Sequence, residues 1–255
     1  MKKRKFKSME DFFTRGLWFV IKLFIGEKRK QEILFNKKCK RVRRYGREIL
    51  EAFDTIAHSH NVKYSLMFGT LLGAYRDKGF IMHDDDIDIA VDINTISFEF
   101  IKNMCNNGFE ILHICVSDMK DCVHFAFEKN NVKFDLYSYN VTNQQVLLSD
   151  PIPDSELYYS TKKQEIDRVK FDFRGFSKDN SLGKDISIFS NPDEILQILY
   201  GANFMTPQKG AKGASSDKRY REPLDKTYFN LIKKRGAMAI VSEPIIFYDV
   251  IGIRN

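Results

Sequence analysis

The sequence predicts an α+β fold in which a mixed β-sheet is flanked by helices. Short runs with alternating apolar residues, which are typical of strands, occur at 62–68, 87–91, 109–116, 124–128 and 132–139. Helices are predicted at about 40–60, 95–106 and 192–200. Residues 140–190 contain Pro151, Pro153 and several turn formers, so we predict irregular structure there.

Size and composition indicate an ordinary globular protein. The 255 residues suit one large domain, or one domain with appendages, and 43% are hydrophobic. No run of about 18 apolar residues occurs, so we expect no transmembrane helix, and no cleavage site follows the apolar N-terminal stretch. The four cysteines lack metal-type spacing, which favours reduced thiols in the cytoplasm.

The net charge of +7 is concentrated at the N-terminus. Residues 1–48 contain 17 lysines and arginines against 5 acidic residues, whereas the rest of the chain has 24 against 29. A strongly basic arm implies an anionic partner, such as nucleic acid, acidic lipid headgroups or a polyanionic polymer. We therefore divide the chain into a basic amphipathic segment, residues 1–40, and a catalytic domain, residues 41–255.

The N-terminal segment is predicted to begin with a short amphipathic helix. Ser8-Met9-Glu10-Asp11 resembles a capping box, and apolar side chains then recur on one helical face up to Phe24. Lysines and arginines surround this face. The helix could lie in a membrane interface, where each basic residue contributes about 1 kcal/mol, or it could dock on the domain.

The stretch FIMHDDDIDIAV, residues 80–91, places carboxylates in a predicted strand. Because side chains alternate between the faces of a strand, its isoleucines share one face while Asp86 and Asp88 share the other. In VKFDLY, residues 132–137, Asp135 likewise faces away from its apolar neighbours. Grouped carboxylates are costly unless a cation neutralises them, and oxygen ligands favour Mg²⁺ or Mn²⁺.

The dipeptide Gly69-Thr70 lies between a predicted strand and a predicted helix. Glycine permits close backbone approach, and a helix N-terminus offers free N–H groups to a phosphate. Metal-binding carboxylates beside a phosphate cradle are typical of phosphoryl transfer and of the nucleotidyltransferase fold. Asp84 and Asp85 could instead be loop or capping residues, since Asp85 faces the wrong side and Asp84 precedes the strand.

A longer match accompanies these motifs. FGTLLGAYRDKGFIMHDDDIDIAV, residues 68–91, resembles the signature of the LicD family, the phosphocholine transferases related to fukutin and fukutin-related protein. Residues 132–139 resemble the strand that carries the third aspartate of that family. ILQILYGANFMTPQ, residues 195–208, resembles its C-terminal element. The similarity extends over about residues 45–210.

The resemblance implies metal-dependent transfer of a phospho-alcohol group, such as phosphocholine, from a CDP-activated donor to a sugar. The acceptor would belong to a cell-surface glycan of the lipopolysaccharide, capsule or teichoic acid type. By position, Asp86, Asp88 and Asp135 would be the catalytic residues and the ligands of one or two Mg²⁺ or Mn²⁺ ions. Asp135 could also take the proton of the acceptor hydroxyl.

The resemblance also assigns donor-phosphate contacts to Gly69, Thr70 and Arg76, although Arg76 could equally be a surface residue of a short helix. One departure is that Met82-His83 replace the usual Pro-Trp before the aspartates, and His83 could contact phosphate or be a plain loop residue. Acceptors in such chemistry are built on lipid carriers, so we expect a peripheral protein at the cytoplasmic face of the membrane.

Two other functions are compatible with these residues. A conventional nucleotidyltransferase would use the same carboxylates on an NTP and release pyrophosphate. Against a nucleic-acid partner, no binding motif is visible and aromatic residues are not interleaved with the basic ones. A non-catalytic scaffold could bind glycan or membrane, but it would have no need of three costly carboxylates.

Overall fold

A long helix dominates the N-terminal part of the computed structural model, which describes residues 26–117, 120–151, 164–207, 218–224 and 229–252. Helix α1, Glu27–Ser59, buries one face from Cys39 to Ala57 at a spacing of three or four residues. The helix begins at Glu27, well before the predicted start at about residue 40. The added stretch is rich in Lys, Arg, Gln and Glu, which favour a helix. The amphipathic helix predicted within residues 8–25 lies outside the described residues.

The other helical elements are short. They are α2, Phe68–Leu72, which continues as a π-helical turn, Gly73–Asp77; a 3₁₀ turn, Ile93–Thr95; α3, Phe98–Asn106; α4, Pro192–Tyr200; α5, Lys234–Ile240; and α6, Pro244–Ile251. Local sequence explains their starts. The Ser97 side chain accepts a hydrogen bond from Phe100 N, which caps α3, and Pro192 occupies the first turn of α4.

Eleven strands occur among the described residues. They are β1, Tyr64–Leu66; β2, Asp86–Asp92; β3, Glu110–Ser117; β4, Val123–Lys129; β5, Val132–Thr142; β6, Gln145–Pro151; β7, Gln164–Asp172; β8, Phe176–Asp179; β9, Ile186–Phe189; β10, Arg219–Leu224; and β11, Phe229–Lys233. Together with the helices they confirm the predicted α+β class.

Nine of these strands form one mixed sheet, and β8 and β9 form a separate pair. The main order is β10-β7-β6-β5-β4-β3-β11, and β2 joins it by parallel pairing with β5. Strand β1 pairs antiparallel with β2. The sheet branches at β5, because this strand pairs with three others, β2, β4 and β6.

The apolar core fills one face of this branch. Ile87, Ile89 and Val91 are fully buried, and α1 packs against β2 and β5 on this side. The ring of Phe53 from α1 lies 5.0 Å from that of Phe134 on β5, as measured between centroids. The opposite face of the same two strands carries the three aspartates.

The prediction of irregular structure at 140–190 is wrong for the described residues of this range, 140–151 and 164–190. This region contains the end of β5 and the strands β6 to β9. The alternation was masked because charged residues lie inside the strands: Asp167 and Arg168 are buried beside the apolar Val169 in β7. Within the described residues, no helix combines the length and apolar character needed to cross a bilayer.

Candidate active site

Three aspartates meet where β2 and β5 run side by side. Asp88 on β2 is the register partner of Asp135 on β5, and Asp86 lies two residues earlier on the same face. One carboxylate oxygen from each residue lies within 4.8 Å of the others. Asp135 is fully buried, Asp88 is 7% exposed and the Asp86 side chain is 25% exposed. The structure thus brings together the three residues that the alternating pattern singled out.

The cluster is electrostatically strained without a cation. Burial, followed by repulsion from Asp86, raises the pKa of Asp88 well above its usual range. Burial and the charge of Asp135 raise the pKa of Asp86 to about 6. For Asp135, burial acts to raise the pKa, but contacts with His124 and Lys133 lower it overall. One member of the cluster is therefore held ionised, while the other two resist ionisation.

Two partners hold the Asp135 carboxylate. His124 Nε2 lies 2.9 Å from Oδ1, and the His124 ring stacks on Tyr137 at 4.7 Å between centroids. Lys133 Nζ lies 2.6 Å from Oδ2 and 3.8 Å from Asp86 Oδ2. Burial acts to lower the pKa of Lys133, but the charge of Asp135 raises it overall, so the ammonium is retained.

The donor set fits a hard divalent cation. It consists of carboxylate oxygens only, the ligand type that Mg²⁺ and Mn²⁺ prefer. A nearby oxygen, Oδ2 of Asp84, is buried without a hydrogen-bond donor. Buried oxygens of this kind are rare in native proteins and mark places where an ion can complete the coordination.

Asp84 belongs to this site as well, although the sequence left it open as a loop or capping residue. Burial, and then the charges of Asp86 and Asp85, raise its pKa to about 8. Its carboxylate packs on Gly69, where an added Cβ would lie 2.4 Å from Asp84 Oδ2. Gly69 therefore permits a close side-chain approach, in addition to the phosphate contact predicted for it.

Thr70 is a buried positioning residue in this structure. Its Oγ1 accepts a hydrogen bond from the backbone N–H of Asp88 at 2.9 Å, and its side chain is fully buried. This bond ties the start of α2 to the strand that carries the aspartates. Phe68, two residues before Thr70, has a φ of 47°, a left-handed conformation that is unusual for a bulky residue and often found near functional sites.

The guanidinium of Arg76 is engaged away from the aspartate cluster. Its Nε and one terminal nitrogen donate to the Asp77 carboxylate at 2.6 and 2.9 Å, and the other terminal nitrogen donates to the Phe204 carbonyl at 3.3 Å. The contact with Phe204 fastens the π-helical turn to the loop after α4. The donor-phosphate contact of Arg76 stays a prediction.

Helix α1 fastens the loop that precedes the aspartates. Arg43 donates to the carbonyl oxygen of Met82 at 2.5 Å, and Lys38 Nζ forms an ion pair with Asp85 Oδ2 at 3.1 Å. Asp85 thus turns toward α1 and away from Asp86, as its parity predicted. His83 is exposed in the same loop.

Tyr200, which the sequence pattern singled out only as part of a longer match, is influenced by the charges of the site. Burial raises its pKa, and the charges of Asp88 and Asp84 contribute next. The sequence could have identified Lys133, because it lies two residues before Asp135 on β5 and therefore on the same face. The sequence could not have identified His124, because its approach to Asp135 depends on how β4 pairs with β5.

Comparison with known proteins adds a family to this geometry. Residues 61–173, which include the three aspartates, match the family described as LicD/FKTN/FKRP, nucleotidyltransferase domain. A 41-residue stretch is 51% identical to the lipopolysaccharide cholinephosphotransferase LicD of Haemophilus influenzae, and it covers 16% of each chain. An uncharacterised protein of Rickettsia prowazekii is 36% identical over 54% of this chain and 53% of its own.

The chain thus spans about half, or less, of the length of these curated relatives. The matched region begins just before β1 and ends just after β7, so it contains the paired strands β2 and β5 and the loop between α2 and β2. The match to the LicD family of nucleotidyltransferase domains therefore covers the part of the chain that holds the aspartate cluster.

Proposed function

We propose that this protein transfers a phospho-alcohol group, phosphocholine or a similar group, from a CDP-activated donor to a sugar of a cell-surface glycan. The observation that carries this proposal is the convergence of Asp86, Asp88 and Asp135 within a LicD-family domain. The cholinephosphotransferase name of the Haemophilus influenzae relative supports choline as one candidate alcohol. The reaction would join the acceptor hydroxyl to the phosphorus that bears the alcohol and release CMP.

Each residue of the site would have its own role in this reaction. Asp86, Asp88 and Asp135 would hold Mg²⁺ or Mn²⁺, which when bound supplies positive charge to the donor diphosphate. We assign Asp135 to cation binding rather than to removal of the acceptor proton, because it is fully buried and its pKa is lowered. Thr70 holds β2 in position through the Asp88 N–H.

The test is CMP release from a panel of CDP-alcohols (choline, ethanolamine, ribitol and glycerol) with Mg²⁺, with NTPs assayed in parallel for pyrophosphate. Asp86→Asn removes one charge of the cluster, and Asp85→Asn is the matched control, because its carboxylate pairs with Lys38 instead. We expect metal-dependent CMP release from one donor, lost in D86N and retained in D85N.

The other outcomes are equally informative. Pyrophosphate release without CMP release would replace the proposal by the nucleotidyltransferase alternative. Full activity of D86N, or its failure to fold, would refute the assignment of the cluster. If no donor reacts even when lipopolysaccharide or teichoic acid is added as acceptor, the non-catalytic scaffold gains support.

We also propose that α1 helps to hold the protein at an anionic membrane surface, at the cytoplasmic face where lipid-linked acceptors are built. Residues 27–47 carry ten lysines and arginines against two acidic residues, and most of these basic side chains are exposed. The same helix fastens the loop that precedes Asp86 through Lys38 and Arg43. Membrane binding would therefore place the aspartate cluster near a lipid-linked acceptor.

This part of the proposal is tested with vesicles. The exposed residues to change to Gln together are Lys28, Lys40 and Arg41. At about 1 kcal/mol for each basic residue, the triple variant should bind vesicles of phosphatidylglycerol and phosphatidylcholine roughly 100-fold more weakly at low salt. Vesicles of phosphatidylcholine alone are the control. Equal binding of wild type and variant to the anionic vesicles would contradict the role of α1.

A further inference from the structure

Lys133 places a positive charge inside the carboxylate cluster. It lies on β5 two residues before Asp135, on the same face, and it is the register partner of Asp86. Its ammonium is 2.6 Å from Asp135 Oδ2 and 3.8 Å from Asp86 Oδ2. The lysine therefore contacts two of the three residues that are proposed to hold the cation.

This contact stabilises the buried charge of Asp135 when no cation is bound. Asp135 is fully buried, and a buried carboxylate without a partner strongly destabilises a folded protein. His124 approaches Oδ1, and Lys133 is the partner of Oδ2. With the ammonium in place, Asp135 can stay ionised without a metal ion.

The same contact has to be given up when a cation binds. Two positive charges cannot both approach Asp135 Oδ2 and Asp86 Oδ2 without strong repulsion. The Lys133 side chain is 38% exposed and sits on a flexible four-carbon stem, so its ammonium can withdraw toward solvent. A donor diphosphate bound nearby would offer the displaced ammonium a new anionic partner.

We propose that Lys133 is an internal competitor of the divalent cation: its ammonium neutralises Asp135 and Asp86 in the metal-free protein and is displaced when the cation binds. The consequence is weak metal binding by the free protein and stronger binding once a donor diphosphate is present. The inference rests on the proposed function in taking these aspartates as cation ligands.

The experiment is a titration of the full-length protein with Mn²⁺ alone, followed by calorimetry or by the electron paramagnetic resonance signal of free Mn²⁺. Lys133→Met keeps the length of the side chain but removes its charge. Lys178→Met is the control, because it removes the same charge from an exposed position on β8. Lys133→Arg keeps a cation in place.

We expect K133M to bind Mn²⁺ about 10- to 1,000-fold more tightly than wild type, the range by which one neighbouring charge shifts an ionisation equilibrium. K178M should match wild type, and K133R should bind more weakly because a guanidinium pairs with carboxylates in a bidentate manner. Equal Mn²⁺ affinity of K133M and wild type would overturn the inference. If K133M does not fold, equal or tighter binding by K133R would overturn it.

Thermal unfolding gives a second readout. In EDTA, K133M should unfold at a lower temperature than wild type, and Mn²⁺ should raise its unfolding temperature by more than it raises that of wild type. Equal increases would contradict competition. Because no donor is needed, tight Mn²⁺ binding by K133M would uphold the inference even if every CDP-alcohol failed to react. Conversely, CMP release by the wild type together with equal Mn²⁺ affinities of K133M and wild type would refute the inference and leave the proposed function intact.

Discussion

The substitution Thr70→Val separates two roles of one side chain. Family resemblance gives Thr70 a contact with donor phosphate, whereas the structure shows its Oγ1 accepting the Asp88 N–H at 2.9 Å in a fully buried position. Valine keeps the shape of threonine and removes the acceptor. The Asp88 N–H then loses its partner in a water-excluded place, which should lower the free energy of unfolding by about 1–3 kcal/mol.

The assay is urea unfolding followed by circular dichroism, with the slope of the transition compared between variants. Thr70→Ser is the control, because it keeps the hydroxyl and loses only one methyl group, worth about 0.8 kcal/mol. Since valine leaves no cavity, the loss in T70V measures the hydrogen bond itself and any shift of Asp88 that follows from it.

A T70V protein within about 0.5 kcal/mol of wild type would refute this reasoning, because that is the spread of neutral substitutions. If such a protein also showed weaker binding of the CDP-alcohol donor, the phosphate contact would be the correct role. Loss of both stability and donor turnover, with T70S active, would instead indicate that the bond positions Asp88 for the reaction.

Two further predictions concern the surroundings of the cluster. Gly69→Ala would place a Cβ 2.4 Å from Asp84 Oδ2, so we expect a loss of about 1–3 kcal/mol in urea unfolding, and unchanged stability would contradict this packing. Burial, and then a neighbouring imidazole, lower the pKa of His113 to about 4, below its value of about 6.5 in an unfolded chain. The unfolded state therefore binds more protons between these pH values, and stability should fall as the pH drops from 6.5 toward 4. His113→Gln should lose part of this pH dependence of the urea midpoint; an unchanged profile would contradict it.

The sequence predicts those parts of the site that depend on local alternation. Asp86 and Asp88 share a face because they are two residues apart on one strand, and Asp135 is found by the same rule on another strand. The contact between His124 and Asp135 depends instead on the register of β4 against β5, which long-range packing sets. Asp84 was ambiguous because it precedes the strand, and its burial against Gly69 arises only when α2 folds back on the loop.

The position of the cluster is fixed by the apolar core on the other face of β2. Burying each of the isoleucines Ile87 and Ile89 contributes about 1.5–3 kcal/mol, and these side chains face the phenylalanines of α1 and β5. A slip of one residue would bring Asp88 into that core and turn the isoleucines toward the aspartates. The repulsion among the carboxylates therefore cannot be relieved by moving the strand. Relief has to come from protons, from Lys133 or from a bound cation, and exchange among these three is what a metal-dependent site requires.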